Sequence, residues 1–510
     1  MLQRACRRPN AGPAVRIPAR TAGRPLAPRW SRPYTNGGGG GGGSSTSFRA
    51  PQLVGVFLLS GAGGWAVSSL LRDGKKGRPG GGAGAAAIPS LGPGPVDLEA
   101  LAESPVDGGS FAKADAKLRE DVFSGSFSAG GKDTHVHAAR VASNHPVEDY
   151  MACSLAPGVG SSQTLFNGVY DGHAGWATSL LLKSALIPAV SSSIARLRPG
   201  ADDAAVEAAV VKAFTDLDDL IMAKAAKAVD GLKAGAVEPA DPGVMAAIAP
   251  AIAGSCALLS IFDPATSTVR VACTGDSRAV LGSAAPGSPA HSALELSRDQ
   301  TGRNQDEFDR ISGEHPGEDG ILDRRSGRLL GIAVTRAFGD HRWKWTEDLI
   351  RHVHLNFFGT PPRPKYATPP YMTAAPVVTA ARVRGPDFVI LASDGLWDHI
   401  SSEHAVECVS RWLAAKRAGE RTPVDKLART PAGPGALDTS GGWPNWSATP
   451  EHFVVEDLDN AAVHLIKNAL GGTRRTLFTG AALAYAPLAR SVRDDVTVQV
   501  IFFQDPSKAN

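Results

Sequence analysis

Asp149, Asp171, Asp394 and Asp494 each stand where an apolar run begins or ends, beside another acid or a glycine. Glu148 and Asp276 lie at the same kind of boundary. A lone aspartate in such a place is ordinarily a turn residue or a cap. Several brought together without a cation would cost roughly several kcal/mol in repulsion and lost hydration. Carboxylates, a backbone carbonyl and water suit Mg²⁺ or Mn²⁺. Few of these acids have a Cys or His beside them, which argues against Zn or Cu. Two hard cations about 3.5–4 Å apart can share and acidify a water and stabilise both oxygens of a phosphoryl displacement. The chemistry on offer is therefore metal-assisted hydrolysis of a phosphate ester.

The stretch Tyr170-Asp171-Gly172-His173-Ala174-Gly175 is central. The apolar run Leu165–Val169 before it predicts a buried strand, and Trp176–Leu182 after it predicts a helix. A carboxylate, two glycines and a histidine thus sit at a strand-to-helix turn, where a backbone can approach a ligand closely.

Other acids have comparable supports. Glu148 and Asp149 precede a predicted strand, Tyr150–Leu155. Gly254–Phe262 and Thr268–Cys273 predict two strands joined through Asp263-Pro264, with Asp276 entering a third, Ala279–Leu281. Phe388–Ala392 predicts a buried strand ending at Asp394, and Val496–Phe503 a last strand starting after Asp494-Asp495. Near-3.6 spacing of Val206, Val210, Phe214, Leu217 and Ile221 predicts an amphipathic helix over 202–229. Helices are also predicted over 303–311, with Glu307 and Arg310 on the exposed side, over 403–415 and over 457–470. Segments 233–250 and 419–450, rich in Gly, Pro and small residues, are expected to be loop insertions. Arg342-Trp343-Lys344-Trp345 is either ordinary packing with its cations at the rim or a partner-binding cluster.

The chain of 510 residues has a net charge of +3, unevenly spread. Residues 1–34 carry eight arginines (Arg4 to Arg32), and no Asp or Glu occurs before residue 50, as in a mitochondrial transit peptide. The rest is near neutral to acidic, so nothing points to nucleic-acid binding. A Gly/Ser-rich spacer, 35–50, follows. Pro51–Leu71 carries no charge and as a helix would span about 31 Å, close to a hydrocarbon core. A single inner-membrane span is expected there, then a flexible linker over 72–111 and one catalytic domain over 112–505 with insertions near 231–250 and 419–450. The five cysteines lie singly, which fits reduced thiols.

Five motifs in this order resemble the metal-dependent protein phosphatase 2C family. They are Asp171-Gly172-His173-Ala174-Gly175, Thr274-Gly275-Asp276-Ser277-Arg278-Ala279, Thr335-Arg336-Ala337-Phe338-Gly339-Asp340, Ser393-Asp394-Gly395-Leu396-Trp397-Asp398 and Arg493-Asp494-Asp495-Val496-Thr497. The resemblance spans about residues 113–503. It implies an α+β fold, a four-layer α-β-β-α sandwich of two antiparallel sheets flanked by helix pairs. It also implies a protein serine/threonine phosphatase using metal-bound hydroxide on phosphoserine or phosphothreonine, with two Mg²⁺ or Mn²⁺ ions. Carried over by motif, the resemblance implies that Asp171 bridges the ions, the Gly172 carbonyl binds one, Asp394 and Asp494 complete one ion's shell, and Glu148 and Asp149 are the family's acidic pair, Glu148 acting mainly through water. Asp276 takes a third, weaker ion, and His173 is the general acid.

Where typical members have an arginine that grips the substrate phosphate, this chain has Asn144, and an amide is a weak substitute for that charged fork. The same substitution, together with Trp343-Lys344-Trp345 and Thr368-Pro369-Pro370-Tyr371-Met372, is similar to the pyruvate dehydrogenase phosphatase branch. That branch implies a mitochondrial enzyme acting on pyruvate dehydrogenase. The competing readings are a phosphatase for another mitochondrial phosphoprotein and a membrane-tethered binding module that has lost the chemistry. A span after a transit peptide leaves matrix and intermembrane-space faces open, and nothing in the sequence speaks for or against a regulatory subunit.

Overall fold

Five consecutive apolar residues, Phe388–Ala392, face two different cores. Phe388, Ile390 and Ala392 belong to one buried cluster, and Val389 and Leu391 to another. Alternation of side chains along a strand has this consequence when both faces are covered. The computed structural model describes residues 109–284, 290–422, 445–485 and 488–508. The expected transit peptide (1–34), spacer (35–50), membrane span (51–71) and nearly all of the linker (72–111) lie outside the described residues.

The strands are β1 (Val122–Ala129), β2 (Lys132–Val141), β3 (Tyr150–Pro157), β4 (Gln163–Tyr170), β5 (Gly172–His173), β6 (Gly254–Ser255), β7 (Ala257–Asp263), β8 (Thr268–Thr274), β9 (Arg278–Ala284) and β10 (His291–Glu295). They continue with β11 (Leu322–Asp323), β12 (Arg328–Leu329), β13 (Phe338–Gly339), β14 (Val377–Arg382), β15 (Phe388–Ala392) and β16 (Val496–Phe502). One antiparallel sheet runs β1-β2-β16-β15-β9-β10 and the other β14-β8-β7-β4-β3. Val136, Val169, Leu258, Phe262, Val271, Leu281 and Ile501 fill the space between them.

The outer face of the first sheet is covered by α1 (Phe111–Leu118) and by helices at 402–418, 461–469 and 475–483, through Leu118, Val409, Trp412, Leu465 and Phe478. The outer face of the second sheet is covered by α2 (Ala177–Ala195), α3 (Asp203–Lys233) and α4 (Pro242–Ile252), through Leu186, Val190, Phe214, Ile221 and Ile248. The four-layer α+β sandwich expected from the motifs is therefore present. Each fully buried Leu, Ile, Val or Phe stabilises it by roughly 1.5–3 kcal/mol. Helix α2 is the one described helix long and apolar enough to cross a membrane. Here its Leu182, Leu186, Ile187, Val190 and Ile194 pack into the sandwich.

Several elements differ from expectation. The supposed loop 233–250 contains α4, capped by the Asp241 side chain on Gly243 N with Pro242 in the first turn. Asp-Pro is a helix-start signal, and Val244, Ile248 and Ala251 bury one face. The helix expected over 457–470 starts at Ala461, because the Asn460 side chain caps Ala462 N and Val463 N. Of the insertion expected over 419–450, residues 423–444 lie outside the described set, while Trp446 returns to the core and stacks on His399 at 4.0 Å. Trp343 and Trp345 are buried and Lys344 pairs with buried Asp218 at 2.6 Å, so that cluster is packing.

The helix α5 (Gln305–Glu314) places Glu307 in the interior, 2% exposed, not on the solvent side. Its carboxylate accepts from Arg336 (2.6 and 2.9 Å), Arg310 (2.9 Å) and Thr335 Oγ1 (2.7 Å). Burial alone would raise its pKa, but the two guanidinium groups outweigh that and hold it at about 2, against an ordinary 4.5. Its stabilisation is present above the unfolded value and is lost as pH falls from about 4.5 towards about 2. Glu307→Gln should cost about 3 kcal/mol at neutral pH, because two half-buried guanidinium groups lose their charged partner. Thermal melts of the two proteins should converge near pH 2; a constant gap would contradict the clamp.

Candidate metal centre

Register places the acids. Tyr150 pairs with Tyr170, Ala257 with Thr274, Ala392 with both Arg278 and Val498, and Val496 with Val141. The start of β3, the end of β4, the starts of β9 and β16 and the end of β15 thus lie at one end of the sandwich. Asp149, Asp171, Asp276, Asp394 and Asp494 are the residues at those five ends.

The turn carrying Glu148 and Asp149 is held by Asp495, which is 1% exposed. Its carboxylate accepts from Ser143 Oγ (2.9 Å), Asn144 N (3.0 Å), Glu148 N (2.8 Å) and Asp149 N (3.3 Å). Asn144 is half-buried, and its Nδ2 donates to Glu148 Oε2 at 2.8 Å. The other oxygen of Glu148 accepts from Gly175 N at 2.6 Å. Gly172 is required here, since a Cβ would lie 2.3 Å from the Glu148 carbonyl oxygen and 2.6 Å from Ser179 Oγ.

The electrostatics are those of crowded, dehydrated acids. Burial first, then the charges of Asp394, Asp149 and Asp276, push Asp171 well above the usual carboxylate range. Burial and then Asp495 do the same to Asp149. Burial, Asp394 and Asp299 raise Asp276 to about 7. Asp398 is raised strongly too, by burial and then by Asp394 and Asp276, so it joins the group. Asp394 is raised by burial and partly relieved by Arg490 and a hydrogen bond with Asp171. Asp149 Oδ2 and Asp394 Oδ1 are buried and accept no hydrogen bond from the described residues. Orphaned hard oxygens among mutually repelling carboxyls fit divalent cations with oxygen ligands. Asp494 lies against the turn, its Cβ 3.3 Å from where a Cβ on Gly395 would be, and it pairs with Arg490.

Cys256 escaped the sequence reading. Donor atoms of Asp171, Cys256 and Asp276 lie within 4.8 Å of one another, and Cys256 Sγ donates to Asp276 Oδ1 at 3.3 Å. Burial and then the Asp276 and Asp171 charges hold its pKa far above the ordinary thiol value. It therefore stays a protonated donor that orients Asp276, and the set remains an oxygen site.

His173, in the short β5, is 23% exposed, and its Nε2 lies 2.6 Å from Oδ2 of Asp340, which is 1% exposed. Burial works against the protonated ring, but Asp340, with Asp276 and Glu148, outweighs it and raises the pKa. Asp340 adopts a left-handed conformation, φ 56°, anchored by its N–H on the Ala253 carbonyl at 3.1 Å. Gly254 makes room for the pair; a Cβ there would lie 2.1 Å from His173 Nε2. Asp340 ends the Thr335–Asp340 motif, and its contact with His173 spans 167 positions of sequence.

A family model described as Protein phosphatase 2C matches residues 139–430. A protein phosphatase 2C homolog of Schizosaccharomyces pombe is 36% identical over 380 residues, covering 72% of this chain and 79% of the relative. The mitochondrial pyruvate dehydrogenase (acetyl-transferring)-phosphatase 1 of Saccharomyces cerevisiae is 34% identical over 433 residues, covering 77% and 73%. The corresponding human mitochondrial phosphatase 2 is 37% identical over 254 residues, covering 47% and 46%. An end-of-sandwich cluster of carboxylates, the ordered motifs and these matches agree, and the chain belongs to the protein phosphatase 2C family of metal-dependent protein serine/threonine phosphatases.

Proposed function

We propose that this phosphatase removes phosphate from phosphoserine on pyruvate dehydrogenase in mitochondria, with Asp171, the Gly172 carbonyl, Asp149, Asp394 and Asp494 holding two Mg²⁺ or Mn²⁺ ions. Glu148 acts on them through water, and Asp276 serves a third, weaker ion. The observation that carries the chemistry is the pair of buried, unpartnered oxygens on Asp149 and Asp394 among acids whose pKa values are raised. When bound, the ions supply positive charge to the phosphoryl oxygens and acidify a water.

The chain's own residues do the rest. Asp495 fixes the turn bearing Glu148 and Asp149. His173, held by Asp340, keeps a proton at the rim and delivers it to the departing serine oxygen. No covalent phosphoenzyme forms, because no side-chain nucleophile is needed. Retention of all these groups favours an active enzyme over an inert binding module.

The substrate assignment is supported by the names of the yeast and human relatives. Mitochondrial entry, and an inner-membrane anchor at Pro51–Leu71, are supported by the acid-free, Arg-rich start and the uncharged run. Phosphoproteomics of mitochondria lacking the protein should show increased phosphoserine on pyruvate dehydrogenase. An unchanged phosphosite would remove that substrate and leave the reaction class intact. Protection of the catalytic domain from protease added to mitoplasts would put it on the matrix side, and cleavage there would put it in the intermembrane space.

A further inference from the structure

We propose that Arg490 is the residue that grips the substrate phosphate, in place of the arginine missing at position 144. The inference deepens the phosphatase reading above and rests on it.

A phosphate dianion at a metal centre is ordinarily met by a planar, doubly donating guanidinium. Asn144 is uncharged and cannot offer that fork, and one of its two amide N–H groups already donates to Glu148 at 2.8 Å. The neighbouring arginines are committed as well. Arg140 is tied to Asp121 and to the Asp149 carbonyl. Arg278 is bidentate to Asp299, and Arg336 is bidentate to Glu307 and bonded to the Ala375 carbonyl. Arg493 is 4% exposed and spends its guanidinium on the carbonyls of Ala481, Val141, Ala142 and Asp494.

Arg490 differs from all of these. It lies on the four-residue helical turn Ala489–Val492, just before β16, with its side chain 46% exposed. Among the described residues its ion pair is with Asp494, itself a proposed metal ligand. Through Asp494 it borders the cluster of acids at this end of the sandwich. Were Asp494 to ligate a cation, the guanidinium of Arg490 would be left free to meet a phosphoryl group beside it. The residue thus neutralises the acids in the resting site and the phosphate in the loaded one.

The test uses the full chain with Mn²⁺ and three readouts: KM and kcat for a phosphoserine peptide, inhibition by inorganic phosphate, and calorimetric Mn²⁺ affinity. Arg490→Ala should raise both KM and the phosphate inhibition constant by about tenfold, the loss of one charged hydrogen-bonding partner. Arg490→Lys, which keeps charge and loses the fork, should fall between. Mn²⁺ should bind no more weakly, because a competitor for Asp494 has been removed. Unchanged KM and phosphate inhibition would overturn the inference, as would a loss explained wholly by weaker Mn²⁺ binding, the mark of a merely structural role. A wild-type chain inactive on every phosphate ester would instead remove the underlying phosphatase reading, and the inference with it.

Discussion

Asp171→Asn should lower kcat/KM on a phosphoserine peptide by about 10³-fold, equivalent to about 4 kcal/mol of transition-state stabilisation. The amide keeps the size of the side chain and removes the negative charge proposed to lie between the two cations. Added Mn²⁺ should recover little of the activity. The same substitution should stabilise the metal-free protein, by about 1 kcal/mol, because one member of a repelling cluster with Asp149, Asp276 and Asp394 is gone. Melts in chelator and peptide kinetics are thus expected to move in opposite directions. A variant that loses both activity and metal-free stability would show instead that Asp171 holds the fold.

His173→Asn should give the second large effect, and one that depends on the leaving group. Serine leaves as a poorly stabilised alkoxide and needs a proton, so hydrolysis of the phosphopeptide should fall by about 10²–10³-fold. p-Nitrophenyl phosphate releases a stabilised anion and should be affected only a few-fold. Asp340→Asn should show the same selectivity in weaker form, because it leaves the imidazole in place and removes the carboxylate 2.6 Å from Nε2. Equal losses on both substrates would mean that His173 binds or shapes the site without donating a proton.

These effects were partly legible in the sequence. A carboxylate at the end of an apolar run is a local pattern, and Asp171, Asp394 and the Asp494-Asp495 pair can be seen without any fold. The α3 helix and the central strands were legible for the same reason, since period 3.6 or an uninterrupted apolar run is written in neighbouring residues. What escaped is long-range. Asp495 looked like a second copy of Asp494, yet it organises a turn 352 positions away at Ser143. Cys256 and Asp276 meet only because β7 and β8 pair and the chain doubles back. Glu307 has the composition of a solvent-facing helix residue and is buried because Arg336, 29 positions away, joins Arg310 of its own helix in neutralising it. Composition also misled over 233–250, where glycine, alanine and proline suggested a loop, although Asp241-Pro242 starts a helix that runs to Ile252.

The central claim is that scattered acids converge to hold a pair of divalent cations. Electron paramagnetic resonance of the chelator-stripped protein, titrated with Mn²⁺, tests it most directly. Two tightly bound equivalents with the signature of an exchange-coupled pair, lost in Asp171→Asn, are predicted. Mn²⁺ that binds only as isolated ions, or a coupled pair that survives Asp171→Asn, would contradict the account.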